Sequence, residues 1–105
     1  MSTRPVPKND HQLWPFFRSE LLPPPAQYYL NQGLKLTGGG IWRKARCPMH
    51  KDKKLSLVVR LDTGGFRCTT CGIHGGDVLA FHRIRYGLGF DEAAKQLGAW
   101  GWDDD

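Results

Sequence analysis

The chain has 105 residues, 40% of them hydrophobic and 24% charged, with a net charge of +5 and three cysteines. That length allows one small domain, whose limited core leaves a metal or disulfide staple useful. Three cysteines do not make a disulfide framework, and no apolar run approaches the length of a membrane span.

In chain order, residues 1–12 are polar, carry two prolines and read as a flexible tail. They lack the apolar core of a secretory signal, so the expected compartment is the reducing cytoplasm, where clustered cysteines point to metal. "LWPFFRSELL" (Leu13–Leu22) is unusually apolar. It reads either as a short helix packed on the core or as a hook for a partner. A helix is predicted over Pro25–Gln32, with proline in its first turn and Gly33 as its stop, and with Tyr28, Tyr29 and Leu30 as its apolar contacts. "TGGG" (Thr37–Gly40) is a flexible turn.

Three short antiparallel strands follow, in "IWRKAR", "LSLVVRL" and "GFRC". Leu55, Leu57, Val59 and Leu61 alternate with Ser56, Val58, Arg60 and Asp62, the period of a strand. "DTGG" (Asp62–Gly65) has hairpin-turn chemistry. A helix begins near Asp77, with Val78, Phe81, Ile84 and Arg85 at helical spacing and Gly87 as its end. A last helix lies in "FDEAAKQLG", where Asp91 and Glu92 in the first turn suit the helix dipole. Residues 101–105 form an acidic tail. The fold class is therefore small α+β: a ribbon, made of a short antiparallel sheet, with flanking helices. The ribbon domain is placed at residues 13–100, with an N-terminal helical segment.

All three cysteines fall between residues 47 and 71. Cys47 and His50 form a C-x2-H pair, Cys68 and Cys71 a C-x2-C pair, and seventeen residues separate the two. Each pair supplies two ligands from one tight turn, and a hairpin of that length folds one turn onto the other. Thiolate and imidazole donors in this arrangement suit one structural Zn2+, four-coordinate and closed to a catalytic water, which makes the small α+β ribbon a zinc ribbon. Three thiolates and a neutral imidazole around the ion leave a charge of −1, which nearby basic residues would offset. A redox pair made of Cys68 and Cys71 alone lacks a βαβ context and leaves Cys47 and His50 unexplained. His74, three residues past Cys71, competes as a ligand but fits the paired turns less well than His50. His11 falls in the tail, and His82 reads as an ordinary helix residue.

Residues 41–76 hold eight basic residues against two acidic ones, so the positive charge sits on the ribbon itself. Such an excess suits a polyanion, or else is a solvated face. Arg43, Lys44, Arg46, Lys53, Lys54, Arg60 and Arg67 are the candidate phosphate contacts. Trp42 and Phe66, if exposed, are the candidate stacking platforms for unpaired bases; otherwise both belong to the core.

"CPMH", the spacer, "CTTCGIHGGDVLAF" and "YGLGFDEAAKQLG" together resemble the CHC2 zinc-binding domain of bacterial DnaG-type primases and of related phage and plasmid primases, over about Tyr28 to Trp100. The ligands carry over to Cys47, His50, Cys68 and Cys71. Ser56, Gly72, Gly76, Asp77, Phe81, Phe90, Glu92, Ala93 and Leu97 match further family positions. The sequence departs from the family at Met49 and Leu57, where aromatics are usual, and at Leu55, where the spacer has a proline. The resemblance implies a module of DNA replication that binds single-stranded DNA template and supports primer synthesis without joining nucleotides itself. Family primases continue into a polymerase domain, so a chain that stops at Asp105 is expected to be a lone module or a fragment, not an enzyme. The alternative is a protein-interaction adaptor that docks to a separate primase catalytic subunit, polymerase or helicase through "LWPFF" or the acidic tail. Neither reading involves a membrane.

Overall fold

The computed structural model describes residues 17–50 and 54–100. Its regular elements are α1 (Pro25–Asn31), β1 (Trp42–Ala45), β2 (Leu57–Arg60), β3 (Phe66–Cys68), β4 (His74–Gly75), α2 (Val78–Tyr86) and α3 (Phe90–Gln96), preceded by a single 3-10 turn at Ser19–Leu21. The strands form one antiparallel sheet in the order β1-β2-β3-β4, with the helices against one face. The small α+β ribbon with flanking helices is the architecture observed.

The middle hairpin closes through reciprocal contacts: the Arg60 N–H donates to the Gly65 carbonyl and the Gly64 N–H to the Arg60 carbonyl, both at 2.7 Å. Gly64 takes a positive φ of 84°, which a side chain would strain, and a Cβ there would sit 3.0 Å from the Val78 nitrogen. The turn therefore packs tightly on the start of α2, and the Tyr29 hydroxyl donates to the Gly64 carbonyl from α1.

Burial alternates along the strands. Leu57, Val59, Phe66 and Cys68 are buried, whereas Val58, Arg60 and Arg67 are not. The inner face meets an aromatic cluster in which Phe81 stands edge-on to Tyr29 at 5.0 Å and to Phe66 at 5.1 Å. Asp77 caps α2 by accepting the Ala80 N–H at 2.9 Å, and Gly87 ends that helix in the left-handed conformation. A second apolar cluster joins Leu79 to Phe90, Ala93 and Ala94 between α2 and α3.

Several sequence expectations are corrected here. The sheet has a fourth strand, because "IHG" folds back beside β3 with Arg67 opposite His74. The α1 contacts are Tyr28 and Tyr29, while Leu30 is exposed, one position past the inward stripe. Ile84 is likewise exposed, since α2 turns Val78, Leu79, Phe81 and His82 inward. Leu55 precedes β2 and stays exposed, so only Leu57 and Val59 of the four alternating residues are fully buried. Within the Leu13–Leu22 segment, Phe17 packs on the core: it bridges to Trp100 and stands 4.9 Å from the Phe90 ring, and the Arg18 N–H donates to the Ala99 carbonyl. Residues 13–16, both expected tails and Lys53 lie outside the described residues.

Candidate metal centre and outer sheet face

The first ligand pair lies on the turn that leaves β1. Cys47 continues the inward alternation set by Ala45 and is buried, and the turn at residues 48–50 brings His50 back beside it. The second pair starts at Cys68, the last residue of β3. The turn after it aims the Cys71 N–H at Cys68 Sγ, 3.4 Å away, and returns the Gly72 N–H to the Cys68 carbonyl. Because β1 and β3 both run antiparallel to β2, which lies between them, their C-terminal ends come together at one end of the sheet.

The donor atoms of Cys47, His50, Cys68 and Cys71 all lie within 4.8 Å of one another. Cys47 Sγ is 3.8 Å from Cys71 Sγ, and Cys68 Sγ is 3.5 Å from His50 Nε2. Tetrahedral zinc, with Zn–S of about 2.3 Å and Zn–N of about 2.0–2.1 Å, spaces two sulfurs about 3.8 Å apart and a sulfur and a nitrogen about 3.6 Å apart. Both observed separations fit those values, and the donor set is that of a structural zinc. His74 stands outside the cluster, with Nδ1 3.2 Å from the Gly72 carbonyl on the exposed side of β4.

The two buried thiols differ. Burial pushes Cys47 up to about 12, only partly offset by the Met49 backbone. Burial opposes ionisation of Cys68 as well. There the donors prevail: the Cys71 N–H, His50, the Ser56 hydroxyl and the Thr70 N–H hold it down to about 5. Cys68 is thus the thiol poised as thiolate before metal arrives.

Strand register defines the opposite, open face. Trp42 pairs with Arg60, Lys44 with Val58, Val58 with Arg67, and Arg67 with His74, and directly paired residues share a face. Trp42 is 58% exposed, and its ring lies 5.3 Å from the Arg60 guanidinium carbon. Arg60 also meets Asp62 at 2.7 Å, so part of its charge is already balanced. A shallow groove runs between Trp42, Val58, Arg60, Arg67 and Thr69.

A model of the CHC2 zinc finger matches residues 28–100. The chain belongs to the CHC2 zinc finger family. It is 34% identical over 68 residues to the DNA primase of Chlamydia pneumoniae, covering 65% of this chain and 11% of that protein. It is 43% identical over 54 residues to the DNA primase of Mycobacterium tuberculosis, covering 51% of this chain and 8% of that protein. The zinc-binding and RNA polymerase domains of the Aquifex aeolicus primase match with a TM-score of 0.61 and 27% identity, over 80% of this chain and 22% of that one. The chain thus spans about a tenth of the length of the curated relatives it matches.

The CHC2 fold sorts the expected nucleic-acid contacts into separate places. Trp42, Lys44, Arg60 and Arg67 share the open face. Phe66 does not: it is 5% exposed on the inner face against Phe81, so stacking on a base would mean leaving the core. Arg43 lies opposite Val59, off the open face, and its Nε donates to the Gly40 carbonyl at 2.9 Å. Arg46 is exposed just past β1 and lines a different cleft, and Lys54 is exposed before β2. Sequence reasoning missed Val58 and His74 as members of the open face. Their signal lay in the register, which becomes visible only once "IHG" is recognised as a strand. It also passed over His82, which is buried between Tyr28 and Gln96.

Proposed function

We propose that this CHC2 module binds single-stranded DNA template for a primase and supports primer synthesis, while a separate catalytic domain or subunit joins the nucleotides. The observation that carries the reading is the open sheet face, where Trp42, Lys44, Arg60, Arg67 and His74 surround Val58 with no carboxylate among the six. Lys44 and Arg67 neutralise phosphates, which provides affinity with little sequence preference. Trp42 offers its exposed ring to an unpaired base, the contact that favours a single strand over a duplex. Zinc, when bound, supplies structural support only: the four protein donors close its shell, and the two turns they brace hold the ends of β1 and β3 in register. Arg60, bridged to Asp62 and lying by the Trp42 ring, fixes the edge of that platform. A cytoplasmic replication complex with a polymerase or helicase is the setting this reading implies.

The test is fluorescence anisotropy of a labelled single-stranded oligonucleotide across a salt series, with zinc quantified in the same sample. The expected result is one zinc per chain and an affinity that falls steeply with salt. Trp42→Ala should weaken binding by about 1–3 kcal/mol, and Arg67→Gln should reduce the salt slope by about 0.7. One zinc with no binding at low salt would instead favour the adaptor reading, in which the module docks to a partner protein.

A further inference from the structure

A second concave site lies away from the open face, where the segment leaving α1 passes the end of β1. It encloses about 480 Å³ and is lined by Gly33, Leu34, Lys35, Thr37, Arg46 and Leu55. None of these residues borders the groove around Trp42. We propose that this cleft is a phosphate-binding site for a nucleotide, with Lys35 and Arg46 holding the phosphoryl group.

Charge comes first. Lys35 and Arg46 are both exposed and have no hydrogen-bond or ion-pair partner among the described residues. Among the described residues, no carboxylate lines the cleft. Two cations facing one concavity repel each other until an anion enters, and a guanidinium offers phosphate a two-pronged hydrogen bond. The C-terminal end of α1 is nearby, and its partial negative charge would work against an anion. That end is well satisfied, however. The carbonyls of Tyr28, Tyr29 and Leu30 accept from Gln32, Gly33 and Leu34, and the Gln32 carbonyl accepts from Arg85 at 3.0 Å.

The walls are held in place. Thr37 and Lys44 exchange both backbone hydrogen bonds, at 2.8 and 3.1 Å, and the Thr37 hydroxyl donates to the same Lys44 carbonyl. Those bonds tie the loop to β1 and set Lys35 and Arg46 across one opening. The cleft also has an apolar component in Leu34 and Leu55, and Leu55 is 45% exposed. Phosphate alone has no use for that surface, whereas a sugar or base attached to it does. The ligand class is therefore a nucleotide phosphate, supplied either by a free nucleotide or by a nucleic-acid strand.

The site does not depend on the open face binding DNA, and the experiment keeps the two apart. Inorganic phosphate and then AMP are titrated into zinc-loaded, 15N-labelled protein, and amide shifts are followed. Saturable shifts at Gly33, Lys35, Thr37, Arg46 and Leu55 are expected, with AMP binding more tightly than phosphate. Lys35→Gln and Arg46→Gln should each weaken binding roughly tenfold, while Trp42→Ala leaves it unchanged. Both charged residues are exposed, so retained zinc and spectral dispersion will show that the variants are folded. Comparing a 5′-phosphorylated oligonucleotide with its 5′-hydroxyl counterpart and with AMP, on the Trp42→Ala background and at these cleft amides alone, identifies the source. Preference for the phosphorylated strand assigns a strand terminus, equal binding of both strands assigns the internal backbone, and tighter binding of AMP assigns a free nucleotide. Absence of shifts at these amides, or shifts that persist in both variants, would overturn the proposal.

Discussion

The Ser56 hydroxyl lies 3.5 Å from Cys68 Sγ, buried at the entry to β2. The same residue's carbonyl accepts the Thr69 N–H at 2.9 Å and the Thr69 hydroxyl at 3.3 Å. One residue thus ties the spacer strand to the second ligand turn both at the sulfur and at the residue after it. Its hydroxyl proton helps to stabilise a thiolate that burial alone would disfavour.

Ser56→Ala removes that donor with almost no change in volume. Supporting hydrogen bonds to metal ligands typically contribute about tenfold to a hundredfold in metal affinity. The variant should therefore bind zinc about tenfold or more weakly while keeping one zinc per chain at saturation. Competition against a chromophoric chelator measures this directly, and an unchanged affinity would remove Ser56 from the metal centre.

Zinc affinity should also depend on pH in two stages. In metal-free protein, Cys47 at about 12 keeps its proton at neutral pH and has to release it to bind metal. Cys68 at about 5 is already ionised there and releases none. Protons compete with zinc at Cys47 throughout the neutral range, so affinity rises with pH. Below about pH 5 Cys68 takes up a proton too, and the loss steepens. The same chelator competition repeated between about pH 4.5 and 8 checks the sign, and an affinity flat through neutrality would contradict it. Removing zinc with a chelator should cost much of the tertiary structure, because the two turns join strand ends across only a small core.

The ligand set was legible in the sequence because metal coordination depends on residue type and spacing, and both survive without a structure. The helices were legible for similar reasons: Pro25, Asp77 and Gly87 act locally. The open face was less so. Arg43 and Lys44 look alike in sequence, yet one strand step puts Lys44 beside Val58 and Arg43 opposite Val59. Phe66 and Trp42 are both aromatic residues on the ribbon, and only the register separates the buried ring from the exposed one. The short β4 escaped notice because two residues carry no periodicity, and its position is set by pairing with β3.

His82 shows what a single helix pattern conceals. Its Nδ1 meets the Tyr28 hydroxyl at 2.8 Å and its Nε2 meets Gln96 Oε1 at 2.8 Å, so one imidazole joins α1, α2 and α3. Burial pushes the Tyr28 hydroxyl well above its usual range, so it keeps its proton and donates to Nδ1. Nε2 then carries the ring hydrogen and donates to Gln96. His82→Ala leaves the buried Tyr28 hydroxyl without this partner and opens a cavity, at a cost of about 2–4 kcal/mol. Gln96→Ala, at the more exposed end, should cost about 1 kcal/mol. Thermal unfolding of the zinc-loaded variants distinguishes them, with zinc content expected to stay at one per chain.

Gly75 sets how closely β4 approaches α2. A Cβ at that position would lie 2.6 Å from Ala80 Cβ and 2.7 Å from Phe66 Cε1, closer than packed carbons come. Its φ is not in the left-handed region, so the constraint is steric rather than conformational. Gly76 next to it has nothing within 4 Å of a built Cβ, and its φ is likewise unremarkable. Gly75→Ala should therefore push β4 off the helix and cost about 1–3 kcal/mol, lowering the melting temperature by about 4–8 °C for each kcal/mol in a domain of this size. Gly76→Ala should be close to neutral. His74 rides on the same strand, so displacement of β4 would also disturb the amide signals of Arg67, its partner across the ladder. Equal effects of the two substitutions would show that β4 yields without resistance and that the close approach to Ala80 is not what seats it.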